Sequence, residues 1–406
     1  MSNTSATNTS VRLAYIGCWY KNDMYAHNCS NMVDSLRANN VTVDVVTSNC
    51  RCFTSSQHCG VAKDELMNQS CSAIGLPHAP ANPSKRYGLV KYYAVKTLRL
   101  DLWLAAARGF LYYWRSRQAD VIHFDQVLEA FGAIPLLVVV GLARIVHKPV
   151  VANVHEIDPI QRNHKWLNHM YEKCDKVLVY SEHMKTELVR LGVRADKIIP
   201  VRYGAAVPDM GAYERNQYIY FGGHHLLKGK GLHEMLEALA ILRRKGRNVA
   251  VLCYVAHGCD GVDEAKEMAA RLGIASMIKW ADFYDSKGLS AAYQRSKACL
   301  IPFTSGSARH PLTCAMANGT PIVATRAVDI PEYAGEMGIY VDGSPESIAK
   351  AIEEIEEGDH DLQRIGFELR KKATHEFDYF IVAQGLASLY GQITARDRLV
   401  RVTPAA

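Results

Sequence analysis

Residues 218–245 read YIYFGGHHLLKGKGLHEMLEALAILRRK and divide into three segments of different character. The first four residues are an apolar run of the kind that forms a buried parallel strand. A glycine-rich loop follows, and apolar residues then recur at helical spacing over residues 232–245. Strand, loop and helix in this order are the repeating unit of a doubly wound α/β domain, so this stretch predicts that fold class.

The same alternation extends in both directions from this stretch. In front of it, strands are predicted at residues 11–16, 41–47, 121–124, 150–154, 176–180 and 198–201, with helices at 29–38, 129–145 and 163–171. Behind it, strands are predicted at residues 249–255, 278–280, 298–301, 321–324 and 338–341, with helices at 263–272, 311–318, 345–357 and 361–375. Strands that alternate with helices form parallel sheets covered on both faces. The sequence therefore predicts two Rossmann-like, doubly wound α/β domains that face each other across a cleft.

The length of 406 residues also favours two domains, because a single hydrophobic core rarely grows to that size. Residues 203–216, YGAAVPDMGAYERN, are rich in Gly, Ala and Pro and show no periodicity, as expected of a linker. We therefore predict a first domain over residues 1–207 and a second over residues 208–376.

Composition narrows the class of protein. Hydrophobic residues make up 49% of the chain and charged residues 22%, which is typical of a globular protein. The polar first ten residues do not resemble a secretory signal, and the most apolar stretch, residues 130–146, contains Pro135 and Arg144 and is too short to span a membrane. We expect a cytoplasmic protein. The net charge of +6 suits phosphorylated ligands and does not require nucleic acid as a partner.

Eleven cysteines are scattered along the chain without a repeated spacing. One cluster has zinc-type ligands within 22 positions: Cys50, Cys52, His58, Cys59 and Cys71. The paired spacing of structural zinc sites is missing there, so we predict reduced thiols and no metal, with a metal or a disulfide as the alternative.

The loop of residues 222–231 contains the strongest candidate for a binding site. Its glycines, Gly222 and Gly223 among them, allow backbone N–H groups to approach an anion, and Lys228 and Lys230 add full positive charges. The following helix adds a partial positive charge at its N-terminus. These features together predict a diphosphate site; a flexible, solvated connection is the alternative.

Two other segments carry candidate residues. Residues 304–313, TSGSARHPLT, place small residues, hydroxyls and Arg309 at a predicted helix start, which suits an anion or a sugar; an ordinary capped loop is the alternative. His155 ends the apolar strand VVANVH, a position well placed for a cleft, although a core histidine with its own partners also fits there.

Several of these segments resemble one family in their order and spacing. The matching pieces are Lys230-Gly231-Leu232, LEAL at 236–239, AMANGTPIVAT at 315–325, IPE at 330–332 and the strand at 338–342. Over residues 218–357 they resemble the retaining glycosyltransferases of family 4, which have the GT-B fold. The first half resembles them more loosely, through residues 120–123, 149–155 and 179–181.

The resemblance implies a role for particular residues. Lys230 would bind the diphosphate of a nucleotide-sugar donor, His155 would lie near the transferred sugar, and Glu332 would face the nucleotide. It implies a hexosyltransferase-like reaction with retention, without a metal or a cofactor besides the donor substrate. It also places the C-terminal helix, about residues 377–406, on the first domain, which would bind the acceptor.

The chain departs from the family pattern at three positions. An arginine of the family is replaced by Gly223, and two glutamates that flank the donor are replaced by Gly306 and Cys314. Our hypothesis is that Arg309, His310 or Thr313 takes over donor contacts; these residues are neighbours in sequence. The missing carboxylates leave two alternatives open: a catalytically degenerate binding or partner subunit, and a sugar-nucleotide epimerase.

The acceptor is expected at the first domain. Gly17 and Trp19 follow the first strand and suit an acceptor loop, with a buried aromatic anchor as the alternative. Between residues 85 and 117, Lys and Arg alternate with aromatic residues, and Asp101 is the only acidic residue. This mixture fits the anionic inner face of a membrane, where a lipid-linked acceptor resides; a solvated helix face is the alternative. The product would be a polysaccharide, a glycolipid or a glycosylated metabolite.

Overall fold

The computed structural model describes residues 11–18, 24–48, 100–125, 133–157, 168–223, 229–255, 261–282, 288–327 and 329–402. The chain forms two compact units. The second unit is Arg202–Tyr379, and the first unit takes the chain as far as Val201 and again from Phe380. The sequence predicted this boundary between residues 207 and 208.

The first unit is built on a parallel sheet of six strands in the order β2-β1-β3-β4-β5-β6. The strands are β1 (Arg12–Cys18), β2 (Thr42–Ser48), β3 (Val121–Phe124), β4 (Val150–Asn153), β5 (Lys176–Val179) and β6 (Ile198–Pro200). Among the described residues up to 201, its helices are α1 (Met24–Ala38), α2 (Leu100–Ser116), α3 (Ala133–Ile145), α4 (His169–Glu172) and α5 (Glu182–Arg190). The side chains of β3 and β4 are buried throughout, as expected of a sheet that helices cover on both faces.

The second unit is also built on six parallel strands, in the order β12-β11-β10-β7-β8-β9. The strands are β7 (Gln217–Gly223), β8 (Val251–Val255), β9 (Ile278–Asp282), β10 (Ser296–Ile301), β11 (Ile322–Thr325) and β12 (Ile339–Val341). The helices are α6 (Leu232–Arg244), α7 (Val262–Arg271), α8 (Leu289–Gln294), α9 (Arg309–Ala317), α10 (Ile330–Ala334), α11 (Pro345–Glu357) and α12 (Leu362–Glu376). Counted from β7, this is the 3-2-1-4-5-6 order of a dinucleotide-binding domain.

The last helix, α13 (Tyr379–Val402), packs on the core of the first unit. Val382, Leu386 and Tyr390 join a cluster that includes Leu13 of β1 and Leu178 of β5. The helix is therefore part of the hydrophobic core.

Each sheet has a point where the strand order reverses. These points lie between β1 and β3 in the first unit and between β7 and β10 in the second. Ligands of open α/β sheets bind beyond the carboxyl ends of the strands at such points, because the loops there diverge and leave a crevice. The two reversal points therefore mark where each unit is expected to hold a ligand.

The prediction of two Rossmann-like domains is confirmed, and the differences concern single elements. Helices α5, α8 and α10 were not predicted; α5 is capped by Ser181, whose hydroxyl accepts a hydrogen bond from the backbone N–H of Met184 at 3.1 Å. Helix α11 begins and ends where it was predicted, and the Ser344 hydroxyl caps its N-terminus by accepting from the backbone N–H of Ser347. In the described part of the chain, no helix combines the length and hydropathy that crossing a membrane would require.

Candidate functional site

The reversal point of the second sheet brings the Lys230 turn against the loop after β10. Gly229 and Gly231 have φ angles of 99° and 71°, a region that favours glycine. A Cβ at Gly231 would lie 2.3 Å from the carbonyl oxygen of Pro302, so the close approach of the two loops also requires glycine there. The backbone N–H of Thr304 donates to the carbonyl oxygen of Gly229 at 2.7 Å and ties the loops together.

The ammonium group of Lys230 points toward this second loop. Its Nζ donates to the carbonyl oxygen of Ser307 at 2.8 Å and lies 4.5 Å from the centre of the Phe303 ring. Gly231 occupies the N-cap position of α6 and has no side chain that could satisfy the first N–H groups of the helix. A fixed lysine beside an uncapped helix N-terminus is a suitable arrangement for binding an anion.

Gly306, which stands where the family has a glutamate, lies next to this lysine. A Cβ built on Gly306 would lie 3.7 Å from Lys230 Nζ, and the φ angle of Gly306 is 75°. The missing side chain therefore leaves room beside the ammonium group. The other glutamate position, Cys314, lies on α9, with its Sγ 3.6 Å from Nε2 of His310.

Arg309, at the start of α9, is held in a buried ion pair. Its Nη1 donates to Oδ2 of Asp329 at 2.7 Å, and only 6% and 1% of the two side chains are exposed. Asp329 was not predicted from the sequence, because it lies 20 residues from its partner and in a different loop. An anion that bound to Arg309 would share the guanidinium group with this carboxylate.

The other predicted donor residues have different surroundings. Thr313 is fully buried on α9, and its Oγ1 lies 3.5 Å from the carbonyl oxygen of His310. The ring of His310 lies edge-on to that of Tyr203, with 6.4 Å between their centres. Glu332 on α10 pairs with Arg202 at 3.2 Å.

The remaining predicted residues fall at the strand ends or outside the described residues. Gly222 and Gly223 end β7, and Gly222 is buried. Gly17 is buried in β1, where a Cβ would lie 3.0 Å from the Tyr15 ring. Lys228, Trp19 and the cluster of Cys50, Cys52, His58, Cys59 and Cys71 lie outside the described residues. Among the described residues, no group of three His, Cys, Asp or Glu side chains is arranged to hold a metal ion.

A buried polar cluster occupies the carboxyl ends of β3, β4 and β5 in the first unit. Asp125 follows β3, and its Oδ1 lies 2.6 Å from Nε2 of His155, which follows β4. Asn153 donates to the same carboxylate oxygen at 2.9 Å. The hydroxyl of Tyr180, after β5, lies 3.2 Å from Nε2 of His155 and 3.0 Å from the Asn153 amide nitrogen. The cluster thus surrounds the histidine that the sequence singled out.

Charge interactions decide the state of Asp125. Burial by itself would raise the pKa of this carboxyl, but the charge and hydrogen bond of His155 outweigh burial and hold the pKa well below its usual range. Asp125 is therefore ionised, and an ionised carboxylate only accepts hydrogen bonds, so Nε2 of His155 carries a proton. Asp125 was not predicted from the sequence, although its place at the end of a predicted strand was a usable signal.

A second buried histidine, His123, lies in β3, two residues before Asp125 in the sequence. Its Nδ1 lies 2.6 Å from the hydroxyl of Tyr390 in α13. Burial lowers the pKa of His123 to about 4, although nearby Asp125 opposes the shift. His123 is therefore neutral at pH 7 and connects the sheet to the last helix.

Two family models match the chain, one in each half. The model "Glycosyltransferase Family 4" matches residues 29–204, and "Glycosyl transferases group 1" matches residues 215–357. These matches support the resemblance that the motifs indicated.

Curated relatives match the chain over part of their length. The chain is 27% identical over 171 residues to an MMP alpha-(1->4)-mannosyltransferase of Mycolicibacterium hassiacum, which is 41% of both chains. It is 29% identical over 177 residues to a D-inositol 3-phosphate glycosyltransferase of Corynebacterium glutamicum, which is 42% of both. The aligned stretch spans about two fifths of these relatives.

Solved structures share the fold over nearly the whole chain. A glycosyltransferase from Rickettsia africae superposes with a TM-score of 0.66 at 13% identity, over 95% of this chain and 99% of that one. Anabaena Alr3699/HepE, solved in complex with UDP, superposes with a TM-score of 0.63 at 16% identity, over 94% and 100%. At these identities the likeness concerns the fold, and it confirms two Rossmann-like domains of the GT-B type.

Proposed function

Because the chain is a GT-B protein that resembles the family 4 glycosyltransferases, we propose that it transfers a sugar from a nucleotide-diphosphate sugar to an acceptor hydroxyl. The transfer proceeds with retention at the anomeric carbon and needs no metal or further cofactor. The acceptor is a carbohydrate or a lipid-linked molecule, and the product is a polysaccharide, a glycolipid or a glycosylated metabolite. The reaction takes place in the cytoplasm.

One observation carries the donor half of the proposal: Lys230 lies at the reversal point of the second sheet, beside the uncapped N-terminus of α6. The ammonium group is held against the Ser307 carbonyl, within reach of the space that Gly306 leaves beside it. In our proposal this space receives the diphosphate. Gly222 and Gly223, which end β7, and Lys228, two residues before Lys230 in the sequence, would also contact the donor, and Glu332 would face the nucleotide.

Lys230 and the helix N-terminus would act on the leaving group. Negative charge grows on the diphosphate as its bond to the sugar breaks, and a fixed positive charge stabilises that state more than the ground state. The acceptor hydroxyl gives its proton to the departing phosphate oxygen, so no protein base is required.

His155 would contact the transferred sugar from the first unit. Its bond to ionised Asp125 sets which ring nitrogen carries the proton and prevents rotation of the ring. The acceptor would bind the same unit near Gly17 and Trp19.

A second function is favoured by Gly306 and Cys314, which replace the two family glutamates. Without those carboxylates the chain would bind a nucleotide sugar as a partner subunit and turn over nothing. The distinguishing experiment incubates the full chain with a panel of nucleotide sugars and measures binding by calorimetry and products by mass spectrometry.

The outcomes separate the functions. Transfer or slow donor hydrolysis supports the transferase, and binding without any product supports the partner subunit. Formation of a 2-epimer would indicate an epimerase, and absence of donor binding across the panel would refute both enzymatic functions and leave a non-catalytic partner subunit.

A further inference from the structure

Helices α2 and α3 of the first unit pack closely against each other. A Cβ at Gly109 of α2 would lie 2.7 Å from Cβ of Val138 and 2.8 Å from the carbonyl oxygen of Pro135 in α3. This glycine lets the two helix backbones approach closely. Tyr112 of α2 is buried against Phe124 of β3, and the opposite side of α2 is exposed.

The exposed side of this pair is apolar. On α2, Trp103, Phe110 and Trp114 follow one another at spacings of seven and four residues and therefore lie on one face. Their exposed fractions are 73%, 53% and 52%. Leu111 of α2 and Leu137 and Ile145 of α3 are also exposed, and we call these six residues the aromatic face. Apolar patches of this kind mark interaction sites, because water is a poor solvent for them.

Positive charge borders the aromatic face. Arg115, Arg117 and Arg144 are exposed, and the guanidinium of Arg117 lies 4.2 Å from the centre of the Trp114 ring. Residues 102–119 and 133–149 contain no Asp or Glu. A surface that combines exposed tryptophans with arginines matches the boundary of an anionic bilayer, where the rings enter the headgroup layer and the charges meet lipid phosphates.

We propose that the aromatic face docks on an anionic lipid bilayer. A second copy of the chain is a poorer occupant, since two such faces would bring arginines against arginines. This inference goes beyond sugar transfer, and vesicle binding is measured without donor or acceptor, so its failure would leave the proposed function standing.

The test is co-sedimentation of the full chain with vesicles of phosphatidylcholine alone and of phosphatidylcholine mixed with phosphatidylglycerol. We expect binding to the mixed vesicles, weakened by salt, and much less binding to the neutral ones. Phe110→Gln combined with Trp114→Gln should lower the affinity for mixed vesicles at least about tenfold. Arg115→Gln combined with Arg117→Gln should lower it roughly fivefold per arginine and flatten the salt dependence.

Phe367→Gln is the matched control, because Phe367 is an exposed aromatic residue on α12 of the second unit. It should bind vesicles as the unchanged protein does. Equal binding to both vesicle types, or unchanged binding by both double variants, would overturn the proposal. So would a dimer in sedimentation analysis that the Phe110/Trp114 variant dissociates, because the face would then join two copies.

Discussion

Asp125 and His155, which follow adjacent strands of the first sheet, are joined by a buried bond of 2.6 Å between Oδ1 and Nε2. Parallel pairing of β3 and β4 places Phe124 beside Ala152, so the residues after them meet at the same edge of the sheet. Because the carboxylate is ionised, this bond fixes both the orientation and the protonated nitrogen of the ring.

Asp125→Asn should therefore impair transfer more than folding. An amide oxygen still accepts a hydrogen bond, but the charge that holds the His155 ring is lost, and we expect kcat to fall on the order of a hundredfold. The measurement is steady-state kinetics at a series of pH values. The dependence of kcat on pH should also differ between the variant and the unchanged protein.

Cys29→Ala is the control for Asp125→Asn. The Cys29 thiol lies 3.2 Å from the other oxygen of the same carboxylate, so its removal changes the neighbourhood of Asp125 without touching the His155 bond. If kcat fell equally in the two variants, the cluster would contribute only through its packing in the core.

Lys230→Met should abolish tight binding of the donor. The positive charge, which lies 4.5 Å from the centre of the Phe303 ring, disappears while the aliphatic stem of the side chain is kept. We expect kcat/KM to fall roughly 10²- to 10³-fold, the usual loss for one stabilising group of a developing oxyanion. Lys245→Met, at the far end of α6, is the matched control and should leave kcat/KM unchanged. Full activity of Lys230→Met would remove the basis of the donor site.

Local sequence signals were sufficient to predict the elements of both sheets. Helix α11 was predicted with its correct bounds because Ser344 and Pro345 begin it and Gly358, with a positive φ, ends it. Helix α5 was overlooked, although Ser181 gives it an ordinary cap. Residues 126–132, where the predicted start of α3 falls, lie outside the described residues.

The pairs that define the candidate sites were harder to predict than the elements. Lys230 could be identified because its glycines, its lysine and the following helix are contiguous in sequence. Asp125 and Asp329 could not be identified in this way. Their partners lie 30 and 20 residues away in the sequence, and only the order of the strands brings each pair together. The sequence predicts strand ends, but the side chains that meet there depend on which strands are neighbours.

His123 should make the first unit less stable in mild acid. Its pKa is about 4 in the folded protein against 6.5 for an ordinary histidine, so between these values the unfolded chain binds a proton that the folded chain does not. Stability is complete above pH 6.5 and falls as pH drops toward 4, by on the order of 3 kcal/mol over the window. Hydrogen exchange of β3 and α13, corrected for intrinsic rates, measures this loss.

His123→Gln should flatten that pH dependence, because glutamine does not titrate. His183→Gln, at an exposed histidine on α5, should retain the full dependence. A profile of His123→Gln as steep as that of the unchanged protein would show that another group is responsible.

The buried pair of Arg309 and Asp329 should be needed for folding of the second unit. Arg309→Met leaves a buried carboxylate without its cation, which costs about 3–5 kcal/mol, whereas Arg309→Met combined with Asp329→Leu removes both charges and should recover most of the loss. Chemical denaturation and donor calorimetry are measured on the same samples. Arg326→Gln breaks an exposed ion pair with Glu336 and should change neither the free energy of unfolding nor the affinity for the donor. If Arg309→Met weakened donor binding at unchanged stability, Arg309 would be a donor contact, as the sequence hypothesis holds, and the pair with Asp329 would not be structural.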